Sequence, residues 1–177
     1  MKQFKSITYD WHLIGLFSIL FGIICYLYKI ASGFQFWEFF WVCPMTAIIS
    51  GIFILLRNRF GMSASIVWIS IGPLLAVIFE PSLCFQLWYS HHLVSLIALI
   101  FILCHLKEIW DAKGFLFGLT SFYTYVLITS GLSRGKINIL TWQFVSYKVS
   151  FYLGIFFLIL SIAIVLWHFL EKYVKRK

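Results

Sequence analysis

A chain of 177 residues that is 62% hydrophobic and 11% charged cannot hide its apolar side chains inside a soluble fold, where about 25% of residues carry charge. Lipid must be the solvent for much of its surface, and the length allows a single membrane domain, residues 1–177, without a separate soluble one. The net charge of +8 does not argue for nucleic acid, because the basic residues lie in short runs between apolar segments, as topology signals do.

In chain order, the polar start through Asp10 precedes a first span over about 11–30, with Trp11 and His12 at the interface. That span lacks the short core and small-residue cleavage site of a signal peptide. Ser32-Gly33 ends it. A second span covers about 35–56, with Glu38 near its start and Pro44 expected to kink it and free carbonyls beside Cys43. Arg57 and Arg59 form a basic turn. The third span, about 61–79, carries small residues at Gly61, Ser63, Ala64 and Ser65 and a second expected kink at Gly72-Pro73. The fourth, about 85–105, holds His91 and His92 near one end and His105 at the other. The fifth, about 115–128, is rich in hydroxyls and is expected in the bundle interior. The sixth covers about 150–170 and runs into a basic tail.

The expected architecture is all-α: a polytopic transmembrane bundle of six spans with both termini cytoplasmic. Charge sets the orientation. With the termini inside, ten Lys or Arg lie on the inner side and four on the outer, namely Lys29, Arg134, Lys136 and Lys148.

This topology gathers a set of polar residues in the outer leaflet. Glu38, Glu80, His91, His92, Arg134 and Asn138 all fall there, and Cys43 lies slightly deeper. Two readings stand for the histidines. One of them acts as a general base or ligand, oriented by Glu38 or Glu80, or both are structural and hydrogen-bonded within the bundle. Ser95 lies one turn from His91 on the same helix face. Arg134, with Asn138 and Glu80 beside it, is the candidate for binding a lipid phosphate or carboxylate. Cys43 is a candidate nucleophile or a small buried hydrophobe. The four cysteines, Cys25, Cys43, Cys84 and Cys104, have no metal-ligand spacing. His12, His105 and His168 fall on the inner side, so the outer histidines have no remote histidine to share a haem with. No cofactor or metal is expected.

The run FWVCPMTAIISGIFILLRNRFG, then GPLLAVIFEP, then LWYSHHLVSLIALI, resembles the YwaF-type small bacterial integral membrane proteins over about residues 40–100. That family is similar in turn to eukaryotic membrane acyltransferases acting on phospholipids. The resemblance implies a bacterial cell (inner) membrane location and singles out Cys43 with one of His91 or His92. The family pattern has a histidine near the cysteine, where this chain has Trp41-Val42-Cys43-Pro44-Met45.

Two functions follow from these readings. The first is a non-catalytic membrane component, a partner subunit or small transporter with a polar outer-leaflet site. The second is a lipid-active enzyme that uses a histidine base. Membrane lipid is the expected partner in either case, with a protein subunit or second copy beside it and no nucleic acid.

Overall fold

The computed structural model describes residues 2–33, 35–79, 82, 85–87, 89–136 and 146–174. Seven α-helices are described: α1 Lys2–Ala31, α2 Val42–Leu55, α3 Arg59–Phe79, α4 His91–Cys104, α5 Leu106–Ile109, α6 Ala112–Leu132 and α7 Tyr147–Val174. A short 3-10 helix, Phe36–Phe40, lies between α1 and α2. There is no β-strand among the described residues.

Asp10–Ala31 within α1, α6 and α7 are long and apolar enough to cross a bilayer. The expectation of six such spans is therefore corrected to three among the described residues. The second and fourth expected spans shrink most. At 14 residues each, α2 and α4 extend about 21 Å, short of a hydrocarbon core of about 30 Å. Their aromatic-rich approaches are apolar without being α-helical. The 3-10 turn occupies Phe36–Phe40, and Trp41 is extended at φ −60 and ψ 130. Before α4, Tyr89 N–H bonds the Gln86 carbonyl in a turn, so the helix starts at His91.

Pro44 does not kink α2, because it lies in the first turn. Backbone donors there have no intrahelical acceptor, so proline forfeits no bond. The Cys43 carbonyl accepts from Thr46 Oγ1 at 3.0 Å. Asn58 starts α3 by accepting the Gly61 N–H at 2.8 Å, an N-cap. Pro73 sits within this helix, which runs on through Gly72-Pro73 to Phe79 without ending there.

The fifth expected span, by contrast, lengthens. Asp111 caps α6 through the Gly114 N–H at 2.9 Å. The hydroxyls of Ser121, Thr124 and Thr129 then bond carbonyls of the preceding turn, so they continue the helix instead of ending it. Arg134 (φ 54) and Gly135 (φ 77) turn the chain out beyond it.

Helix α3 packs on α2, α4 and α6, with α7 outside against α6 and α1 against α2 and α4. The buried face of α1 is Trp11, Gly15, Ser18, Gly22, Cys25 and Lys29, a repeat of alternating four- and three-residue steps. Its two glycines bring backbones together. A Cβ on Gly51 of α2 would lie 2.6 Å from the Gly15 carbonyl oxygen, which is close packing of the kind small residues permit in membranes. One apolar core joins Trp11, Ile54, Met62, Ile69, Ala98, Leu99, Ile102 and Ile109 across α1 to α5. The outward faces of α1 and α7 expose Leu16, Leu20, Leu27, Phe156, Ile159 and Phe169, which suits lipid.

Candidate functional site

The helices alternate in direction, which sorts the polar residues into two ends. At one end Trp11 packs on His105, Arg59 bonds the Trp110 carbonyl, and Phe60 packs on His168. There Lys113 pairs with Glu171, and its ammonium lies 4.2 Å from the Trp167 ring centre. Asp111 sits 4.0 Å from His168 Nδ1. Ser63 Oγ ties the α5–α6 connection to α3, donating to the Ile109 carbonyl and accepting from Asp111 N–H. This is the basic end.

The opposite end holds the 3-10 turn, the start of α4 and the ends of α6 and α1. Tyr26 of α1 donates to the Phe39 carbonyl, and Tyr125 of α6 donates to the Phe40 carbonyl, each at 3.0 Å. The turn is thereby held across the top of α2. Beneath it lies a cavity of about 500 Å³, within the range of small-molecule sites, roughly 300–1,000 Å³. Phe36 and Phe40 form its roof. Val42, Met45, Thr46 and Ile49 present one face of α2 to it, Trp68 comes from α3, and Ser121, Phe122, Thr124, Tyr125, Ile128, Thr129 and Leu132 come from α6.

The polar side chains around this cavity point their hydrogen bonds away from it. Thr46, Ser121, Thr124 and Thr129 bond backbone carbonyls within their own helices. Trp68 Nε1 donates to the Gly118 carbonyl at 2.8 Å and to Ser121 Oγ at 3.0 Å. What remains facing the space is methyl, methylene and ring. Phe36 and Leu132 at the rim are exposed. Arg134 follows Leu132 in the turn after α6 and is exposed, as is Lys136. Lys29, by contrast, is 7% exposed and lies 6.0 Å from the Trp41 ring centre.

The residues singled out in sequence do not converge here. His91 and His92 begin α4 and are buried, with ring centres 4.0 Å apart and the Tyr89 ring tilted against His92 at 4.2 Å. His92 Nδ1 is 3.1 Å from the Tyr89 carbonyl oxygen. Helix α4 packs on α1, α2 and α3, so neither histidine lines the cavity. Cys43 projects toward Gly72 of α3, where a Cβ would meet its Sγ at 2.5 Å, and it too is absent from the lining. Arg134 is in the turn after α6, at the end that holds the 3-10 turn. The Glu38 backbone is in the 3-10 turn, its side chain lying outside what is described, and Glu80, Cys84 and Asn138 lie outside the described residues. Among the described residues no group of three or more His, Cys, Asp or Glu is placed to hold a metal.

Sequence reasoning missed Tyr26, Tyr125 and Trp68. The signal for Tyr125 was its place in the hydroxyl-rich span. Tyr26 and Trp68 gave no signal beyond their type.

Fold and composition together define a multi-spanning α-helical membrane protein. Comparison of the chain with family models, curated proteins and solved structures gives no match.

Proposed function

We propose that this chain is a non-catalytic membrane component that holds the hydrocarbon tail of a membrane lipid in the cavity between the 3-10 turn, α2, α3 and α6. One observation carries the reading. The cavity is large, and its hydroxyls and indole N–H are all turned into backbone or side-chain bonds. An apolar wall without free donors favours an acyl or isoprenoid chain over a polar solute, which would lose its water contacts without replacement.

Arg134 gives the same lipid a headgroup partner. It is exposed two residues past the rim residue Leu132, and a guanidinium suits a phosphate. We read the basic end as cytoplasmic by the positive-inside rule, which sets the cavity in the outer half of a cell membrane. The lipid-active enzyme has less support, since an imidazole or thiol would have to reach the bound lipid, and His91, His92 and Cys43 are not in the lining. Kinship with the YwaF-type proteins is part of the proposal and rests on the three sequence runs alone.

The test is native mass spectrometry of protein purified gently in mild detergent. Wild type is expected to carry one lipid per chain. Met45→Trp and Ile49→Trp, which fill the cavity, are expected to lose it while remaining folded, and Arg134→Ala to weaken retention of anionic phospholipid. Equal lipid occupancy in folded filled variants would count against the reading.

A further inference from the structure

Three buried serines of α1, α2 and α4 lie outside the lining of the cavity. Ser18, Ser50 and Ser95 are 0%, 0% and 1% exposed. None of their hydroxyls has a hydrogen-bond partner among the described residues. Ser130 of α6 and Ser150 of α7 are in the same state, but other hydroxyls in this bundle do find a partner. Those of Ser65, Ser121, Thr124 and Ser161 each donate to the carbonyl four residues back.

The helix registers set the three serines at one level. Gly51 of α2 sits against Gly15 and Ile19 of α1, so Ser50 and Ser18 lie within a turn of the same crossing. Trp11 of α1 packs on Phe101 and His105 of α4, with ring centres 4.5 Å and 5.1 Å apart. Ser18 lies about 10 Å along α1 from Trp11, and Ser95 about 9–15 Å along α4 from that aromatic pair. The two helices run in opposite senses, so both serines rise from the basic end by the same amount. Helices α1, α2 and α4 pack pairwise on one another, and each contributes one serine.

We infer that these three hydroxyls form a binding site for a single neutral hydrogen-bonding molecule, a structural water. A buried water makes about three hydrogen bonds to groups that would otherwise lack partners, and three hydroxyls from three helices meet that requirement. The charge distribution favours a neutral occupant over an ion. Asp10, Glu108, Asp111 and Glu171 belong to the basic end, and Lys29 sits at the far end of α1. The bound molecule crosslinks α1, α2 and α4 beside the close backbone approach of α1 and α2 at Gly15 and Gly51.

Two measurements on the whole protein test this. A density map of wild type in lipid, at a resolution that shows ordered water, is expected to place a peak at about 2.7–3.0 Å from two or three of the seryl oxygens. Hydroxyls turned onto carbonyls of their own helices, with no such peak, would overturn the inference. Separately, Ser18→Ala, Ser50→Ala and Ser95→Ala are each expected to lower Tm by about 2–4 °C. The triple variant should lose less than the sum, because the first substitution already weakens the shared molecule. Unchanged or raised Tm in all three, as for removal of a costly bare hydroxyl, would overturn it, as would losses that simply add.

Discussion

Tyr26 of α1 and Tyr125 of α6 donate their hydroxyls to the consecutive carbonyls of Phe39 and Phe40. A short 3-10 helix has few hydrogen bonds of its own and weak geometry. These two external bonds are what hold its Phe36 and Phe40 side chains over the cavity. Each Tyr→Phe change removes the hydroxyl and leaves a carbonyl short of a donor. Tyr26→Phe and Tyr125→Phe are each expected to cost about 0.5–1.5 kcal/mol. In the double variant, hydrogen exchange should rise at residues 36–41 ahead of the rest of the bundle. Exchange that rises uniformly would mean that the turn is held by packing alone.

The approach of α3 to α6 gives a second prediction. A Cβ on Gly118 would strike the Ala64 carbonyl oxygen, and one on Gly114 the Phe60 carbonyl oxygen. Both obstacles are backbone, which cannot swing aside as a side-chain tip can. Gly118→Ala is therefore expected to destabilise by about 1–3 kcal/mol. Gly33→Ala meets no neighbour within 4 Å but must hold φ +70, at about 1–2 kcal/mol for a left-handed L-residue. Thermal unfolding in one detergent separates the two causes, since Gly33→Asn should recover most of its loss and Gly118→Asn none.

A third prediction concerns the basic end. Asp111 accepts the Gly114 N–H, and its backbone N–H donates to Ser63 Oγ, which in turn bonds the Ile109 carbonyl. One residue thus caps α6 and closes the α5–α6 connection onto α3. Asp111→Ala should cost about 0.5–2 kcal/mol. Asp111→Asn keeps an acceptor for the cap and should retain most of that stability in a melting experiment. Equal losses in the two variants would shift the weight from the cap to the carboxylate's charge beside His168.

The parts legible in the sequence were those where apolar periodicity and helix length coincide. The first and sixth spans, read at about 11–30 and 150–170, lie within the apolar helices Asp10–Ala31 and Tyr147–Val174. The second and fourth were overextended because the aromatic Phe36–Phe40 forms a 3-10 turn, Trp41 is extended, and the Tyr89 N–H closes onto the Gln86 carbonyl before α4 begins. Hydropathy measures partition and says nothing of backbone geometry. The fifth was cut short for the opposite reason, since its hydroxyls bond their own helix and do not interrupt it. The cavity was illegible because it is a space between four elements, bounded by side chains whose convergence depends on helix register. Of the buried serines only Ser95 was singled out, beside His91, because the level it shares with Ser18 and Ser50 follows from the Gly15–Gly51 and Trp11–Phe101 contacts.

The histidine pair gives the prediction that separates the two functions most directly. His91 and His92 are 2% and 5% exposed and pack against Tyr89 at the head of α4, which packs on α1, α2 and α3. If they are structural, replacing both removes buried ring contacts and the bond to the Tyr89 carbonyl, at a cost of about 1–3 kcal/mol. A lipid held in the cavity as proposed should then be retained at wild-type occupancy, because no residue lining the cavity belongs to α4. The variant His91→Ala/His92→Ala is expected to melt lower yet carry the same lipid by native mass spectrometry at a temperature where it is folded. Loss of that lipid with an unchanged melting temperature is the opposite pattern. It would move the binding site to the head of α4 and make a histidine base acting on lipid the better account of the molecule.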